Sequence, residues 1–298
     1  GFHRRMDQVA NESFEPKGPI PGFNSKTVFA LRDALKDLDF EGKDIVLETL
    51  DRSFREESYS IENCPPITKE EAKAIYLFTW EPSSSDRTVN TIVNSALRDR
   101  DRTRVVPYLK YIKLLLSGLS KLQLPVEKQL WQGVKKDLYD QYINKIDRTI
   151  VFWGFSSATS ERSKIENIMP GTVGTVFCIK MKYASNIIAF SSMQDEDEIV
   201  IAAGSVFRVL SVTRESKVTL IELSEEINLL GFEQPSPPST RGVSQDTQGT
   251  QFSSTPPVQS LPGGMPSPPA PHKPLDQTAD EQPASPSVPR QSAPATAR

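Results

Sequence analysis

Glu196 and Glu198 stand two residues apart in Asp195-Glu196-Asp197-Glu198, directly before the apolar run Ile199-Val200-Ile201. In an extended strand residues i and i+2 point to one face, so both carboxylates can converge on one site while Asp197 faces away. Converging carboxylates suit a positive charge, which no neutral side chain pairs with as strongly. Ser157 and Thr159 share that spacing in Trp153-Gly154-Phe155-Ser156-Ser157-Ala158-Thr159. Taken singly, an acidic run is more often a solvated turn, and a Ser/Thr cluster after a strand usually caps a turn or helix.

Other chemistries lack their residues. His3 and His272 lie near opposite ends, and Cys64 and Cys178 are far apart, so no zinc-type ligand spacing exists and no metal is expected. Cys-His and Ser-His-Asp catalysis both lose their histidine. No G-x-G-x-x-G or G-x-x-x-x-G-K-[ST] occurs, which removes the common phosphate-cradling loops. Whether the two cysteines pair is not decided by their spacing.

The elements that must position the carboxylates fall into two halves. Up to about residue 121 apolar positions recur at helical spacing: Val28, Leu31, Leu35 and Leu38, later Val89, Ile92, Val93 and Leu97, then Leu109, Ile112, Leu116 and Leu119. Thr68-Lys69-Glu70-Glu71 has the form of a capping box ahead of a helix through Trp80. A helix is expected over about Lys135 to Ile143. Strands are expected at Ile150 to Phe155, Gly174 to Met181, Asn186 to Ser191, Glu198 to Ala202, Ser205 to Val212 and Lys217 to Leu223. Helices followed by strands without βαβ alternation indicate an α+β domain with largely antiparallel sheets.

At the ends the composition changes. Residues 1–25 carry Pro16, Pro19 and Pro21 among polar residues and read as an irregular arm, with folding starting near Lys26. From residue 233 to 298, 15 of the chain's 24 prolines accompany one aromatic, Phe252, too little apolar surface to offset chain entropy, so a disordered tail is expected. Within it Pro268 to Lys273 matches a polyproline ligand with a trailing cation, of the kind SH3-like grooves take. The net charge, 35 − 38 = −3, offers no basic footprint for nucleic acid. No apolar run approaches the roughly 18 to 20 residues of a membrane span, and the start lacks a secretory signal, which leans towards a cytoplasmic protein.

Together, Leu130-Trp131-Gln132-Gly133-Val134, Ser157-x-Thr159 and Glu196-x-Glu198 resemble, in order and strand context, the motifs of the R-S-E clade of ADP-ribosyltransferases, in particular the arginine-specific mono-ADP-ribosyltransferases. The lead-in Glu70-Glu71-Ala72-x-Ala74-Ile75-Tyr76 and Pro107-Tyr108-Leu109 is similar too, and the likeness spans about residues 66–213. It implies an ADP-ribosyltransferase-like domain over 26–232, with a helical part (26–127) and a strand-rich part (128–232) holding a split antiparallel β-core. The implied activity is transfer of a single ADP-ribose from NAD to arginine side chains of an acceptor protein, releasing nicotinamide.

Such transfer breaks the nicotinamide–ribose bond through an oxocarbenium-like state, which needs an anion beside the ribose. By resemblance Glu198 supplies it and takes a hydrogen bond from the ribose 2′-hydroxyl. Ser157 orients that carboxylate, Thr159 supports the pocket wall, Glu196 holds the acceptor guanidinium, and Gly133 lets the backbone approach the nicotinamide carboxamide. The family's first-motif arginine is replaced by Gln132, which can donate hydrogen bonds but brings no charge or planar fork to the dinucleotide. A non-catalytic binding module and an NAD glycohydrolase therefore remain as alternatives. Phe155, Tyr183 and Phe190 read as core before pocket wall.

Overall fold

A computed structural model of the chain describes residues 2–23, 29–82, 87–125, 129–169, 171, 173–193 and 197–230, all within the unit Gly1–Gln245. The expected tail over 233–298, the Pro268 to Lys273 ligand, Glu196 and the start near Lys26 lie outside the described residues.

Six helices occupy the described N-terminal half: α1 (Phe2–Asp7), α2 (Leu31–Ala34), α3 (Lys43–Ser53), α4 (Lys69–Thr79), α5 (Val89–Arg98) and α6 (Leu109–Lys121). The capping box at α4 is formed: Glu71 N–H donates to Thr68 Oγ1 at 3.3 Å, and Thr68 N–H to Glu71 Oε2 at 2.8 Å. Glu71 also receives Ser117 Oγ and Lys121 Nζ from α6. Burial pushes its carboxyl up, but these hydrogen bonds outweigh burial and hold it below the ordinary value. Thr88 and Thr91 make a second reciprocal cap at the start of α5. Tyr111, Ile112, Leu115 and Leu119 of α6 pack in one cluster with Ala74, Ile75 and Phe78 of α4. Each fully buried leucine or phenylalanine there contributes about 1.5–3 kcal/mol.

A short ladder, β1 (Ser58–Tyr59) with β2 (Ile67–Thr68), sits among the helices. The remaining strands are β3 (Gln123–Pro125), β4 (Leu130–Val134), β5 (Thr149–Phe152), β6 (Ser156–Ala158), β7 (Gly174–Lys180), β8 (Tyr183–Asn186), β9 (Ile199–Ile201), β10 (Ser205–Glu215) and β11 (Val218–Asn228). Two more short helices, α7 (Tyr139–Tyr142) and α8 (Arg162–Ile168), connect them. They form a five-stranded sheet ordered β4-β7-β11-β10-β5, antiparallel except between β7 and β11, and an antiparallel four-stranded sheet ordered β3-β8-β9-β6. This is the split, largely antiparallel core expected of the α+β reading.

The four-stranded sheet is covered on both faces. Along β9, Val200 joins the cluster of helical residues, while Ile199 and Ile201 join a second cluster with Phe152, Phe177 and Phe207 of the five-stranded sheet. Phe155 and Phe190 belong to the helix-side cluster, Phe155 meeting Phe78 edge-on at 5.6 Å, so for both the core reading holds.

Four expectations are corrected. Asn186–Ser191 is no strand: β8 ends at Asn186, whose Oδ1 accepts Ile188 N–H and turns the chain into a short 3₁₀ segment, Ile188–Phe190. The helix expected from Lys135 begins only at Tyr139, because Thr175 Oγ1 donates to Lys136 O and accepts Leu138 N–H, tying that stretch to β7. The strand from Ile150 stops at Phe152 and resumes as β6. The irregular arm contains α1 and a 3₁₀ turn, Gln8–Asn11. Cys64 and Cys178 are both free thiols.

Candidate active site

Glu198 precedes β9 on the parity of Val200 and therefore faces the helical side of the four-stranded sheet. Ser157 is the central residue of β6, which pairs with β9 in the register Ser157↔Val200. Both side chains are fully buried, and Ser157 Oγ donates to Glu198 Oε1 at 2.5 Å. The short loop before β6 is pinned from outside the sheet. Asn94 of α5 accepts Phe155 N–H at 2.8 Å and donates to Phe155 O at 3.0 Å. Glu12 accepts Trp153 N–H and Gly154 N–H while paired with Arg98 at 2.6 Å.

Gln132 reaches this region from the other sheet. Its side chain is fully buried, and Nε2 donates to Ser156 Oγ at 2.6 Å and to Met6 O at 3.0 Å; Oε1 is buried without a partner. Ser156 and Ser157 point to opposite faces of β6, so Gln132 supports the strand from behind and does not touch the Ser157–Glu198 pair. Thr159 joins the two sheets through reciprocal backbone hydrogen bonds with Trp131 at 2.8 and 2.9 Å. Its hydroxyl accepts Glu161 N–H and lies 3.5 Å from Asp197 Oδ2, which also receives Ser160 Oγ at 2.7 Å. Asp197 thus turns to Thr159 and Ser160, beyond the ends of β6 and β9, where strand alternation no longer sets the direction of its side chain. Lys135 and Lys136 are exposed.

Gly133 has two sides. Its N–H points at Met6 Sδ, 3.5 Å away, whereas a Cβ would stand 2.8 Å from Ile165 Cγ2 and 2.9 Å from Met169 Sδ. Packing of β4 under α8 is therefore enough to require glycine, independently of any ligand.

Sequence reasoning missed Arg5. This residue of α1 is 1% exposed, and its Nε and Nη2 each lie 2.7 Å from one oxygen of Glu198. Its Nη1 donates to Glu81 Oε1 at 2.7 Å and to Thr79 O at 3.2 Å, at the end of α4. The neighbouring residues Met6 and Asp7 reach β4, Asp7 Oδ1 accepting Lys135 N–H at 2.8 Å. No local pattern distinguishes Arg5 from Arg4; only the tertiary docking of the arm does.

Among the described residues no group of three or more His, Cys, Asp or Glu could hold a metal ion, and no helix is long and apolar enough to cross a membrane. A cavity of about 300 Å³ lined by Gln123, Tyr183, Val200, Glu225 and Asn228 includes none of the candidate site residues. Of the groups expected to receive NAD, Glu198, Gln132 and the Gly133 N–H all meet the arm, and the buried, unpartnered Gln132 Oε1 leaves one acceptor unused.

A family model described as NAD:arginine ADP-ribosyltransferase matches residues 45–228. Among solved structures, the eucaryotic mono-ADP-ribosyltransferase ART2.2 is 15% identical, with 75% of this chain and 96% of that one covered and a TM-score of 0.48. HopU1 of Pseudomonas syringae pv. tomato DC3000 is 18% identical, with coverages of 74% and 96% and a TM-score of 0.44. The Vis toxin, an ADP-ribosyltransferase from Vibrio splendidus, is 17% identical, with coverages of 73% and 100% and a TM-score of 0.43. These likenesses are too distant to carry an argument beside the family match. No curated protein matches the chain.

Proposed function

The chain belongs to the NAD:arginine ADP-ribosyltransferase family, and on that premise we propose that it transfers a single ADP-ribose from NAD to arginine side chains of an acceptor protein, releasing nicotinamide. The observation that carries this reading is the fully buried Glu198 carboxylate held by Ser157 Oγ. A fixed anion of this kind stabilises positive charge developing at the ribose as the nicotinamide bond breaks, and its orientation costs no reorganisation at that moment. In this reading Glu198 accepts the ribose 2′-hydroxyl and Ser157 sets the carboxylate plane.

Glu196, two residues before Glu198 in the sequence, is assigned the acceptor guanidinium, which a carboxylate oxygen pair matches. Because guanidinium holds its proton to a pKa above about 12, positioning beside that carboxylate matters more than simple proton abstraction. Gln132 and the Gly133 N–H are assigned to the donor dinucleotide as neutral hydrogen-bonding groups, Gln132 bringing no charge. Thr159 acts on the wall, through Asp197 and Trp131.

The test is incubation of the purified chain with saturating NAD and a small guanidine acceptor, with Glu198→Gln as control and products identified by mass spectrometry. Labelled acceptor that disappears in the control supports transfer. Free ADP-ribose without labelled acceptor points to an NAD glycohydrolase. Absence of both products sinks the enzyme reading and favours a binding module, the reading to which an uncharged, buried Gln132 lends weight.

A further inference from the structure

We propose that the N-terminal arm around Arg5 is a built-in competitor of NAD, so that the chain binds the dinucleotide only when Arg5 has left Glu198. The inference rests on the transferase reading above for the identity of the ligand. Its structural basis is separate: the arm occupies the very atoms that reading needs. Both Glu198 oxygens are engaged by Arg5 at 2.7 Å, and Oε1 also takes Ser157. The Gln132 amide donates to Met6 O as well as to Ser156 Oγ, and the Gly133 N–H faces Met6 Sδ. With Glu198 fully buried and the Arg5 guanidinium laid across both its oxygens, the approach a ribose hydroxyl needs is filled by Arg5.

The chemistry of the occupant matches what it excludes. Glu198 is fully buried, and a carboxylate in that position needs a cation or strong donors. Arg5 provides them from within the chain; NAD, whose nicotinamide ring is cationic, provides them from outside. Release of one and entry of the other exchange partners at one anion, and neither state leaves it bare. A buried ion pair of this type is a poor source of net stability, since desolvation cancels much of its attraction, which makes exchange feasible.

The arm is built to be held at one end and released at the other. Glu12 is anchored by Arg98 and by the Trp153 and Gly154 amides, contacts outside the Glu198 site. Arg5 is held besides by Glu81, which is 11% exposed and has no role in the proposed chemistry. Apparent affinity for a ligand falls with the fraction of molecules in the competent state, so the docked arm acts as a set point on NAD binding.

The experiment measures NAD affinity by calorimetry for the wild-type chain, Arg5→Ala and Glu81→Gln, with hydrogen exchange at the amides of residues 4–8 followed with and without NAD. Arg5→Ala strips Glu198 of its partner and can fail to fold, which circular dichroism reports; Glu81→Gln keeps that partner and only loosens the hold. The expected result is NAD binding about tenfold or more tighter in either folded variant, and loss of arm protection when NAD binds the wild type. Equal affinities in wild type and variants, or NAD binding with the arm still protected, would overturn the competition alone. ADP-ribose found on Arg5 itself overturns it as well, since Arg5 must then stand beside NAD and not in its place. Absence of NAD binding in every folded chain brings down the transferase reading, and the competition with it.

Discussion

Ser157 and Glu198 meet diagonally across the β6–β9 ladder: the register pairs Ser157 with Val200, and its hydroxyl reaches back two residues to Glu198 Oε1. Sheet geometry alone puts both on the helical face, so the carboxylate is set by the fold before any ligand arrives. Glu198→Gln keeps the shape and removes the charge; transfer is expected to fall on the order of 100-fold or more. Ser157→Ala is expected to cost about tenfold, the loss of one hydrogen bond to a charged group, by releasing the carboxylate plane. Steady-state rates of each substitution, made in the wild-type chain and in Glu81→Gln, check both, and unchanged transfer in Glu198→Gln rejects the assignment.

Gln132 gives a conditional expectation. Its amide is buried between Ser156 and the arm, leaving no room for a longer guanidinium while Met6 is docked. Gln132→Arg should therefore loosen the arm and add a charged donor towards the dinucleotide. In a Glu81→Gln background, where the arm is already loosened, NAD affinity should still rise. A gain in wild type that vanishes in that background assigns the effect to the arm alone.

For Gly133 the prediction concerns stability. A Cβ 2.8 Å from Ile165 Cγ2 and 2.9 Å from Met169 Sδ overpacks the contact between β4 and α8. Gly133→Ala should cost about 1–3 kcal/mol in denaturant unfolding. Loss of NAD affinity with full stability would show instead that the backbone approach to substrate is what requires glycine.

The sequence made local rules legible and left long-range ones hidden. The Thr68/Glu71 cap could be read because both partners lie within one helical turn, and the strands because apolar alternation is local. Ser157 and Glu198 were reached through motif resemblance, 41 residues apart. Where expectation failed, a distant partner decided the backbone. Glu12 and Asn94 take the amides of Trp153 to Phe155 and break a stretch that reads as continuous strand. Arg5 meets Glu198 across 193 residues, and nothing near it in the chain announces that.

Asn94 supplies a test of that long-range control. Its side chain satisfies both the N–H and the C=O of Phe155, two residues before Ser157. Asn94→Ala leaves both buried groups unpaired, at about 1–3 kcal/mol each. Beyond lower stability, the variant should lose transfer rate more than NAD affinity, because β6 no longer fixes Ser157 against Glu198. Equal losses in both would make Asn94 a general support of the fold.

Glu225 on β11 sets an expected pH dependence away from the site. Burial pushes its carboxyl from the ordinary 4.5 up to about 7, the backbone hydrogen bond and charge of Lys182 opposing this only in part. The folded chain thus holds that proton more tightly than the unfolded chain. Between the two values the native state carries the extra proton, so unfolding free energy must fall as pH rises from about 4.5 to about 7 and level off above. Glu225→Gln mimics the protonated form and should flatten that part of the profile, most visibly as a gain in stability near neutral pH. Chemical denaturation across this range in wild type and Glu225→Gln checks it. Parallel profiles would place the proton on another group, while a flat wild-type profile would mean that Lys182 keeps Glu225 ionised in the folded chain.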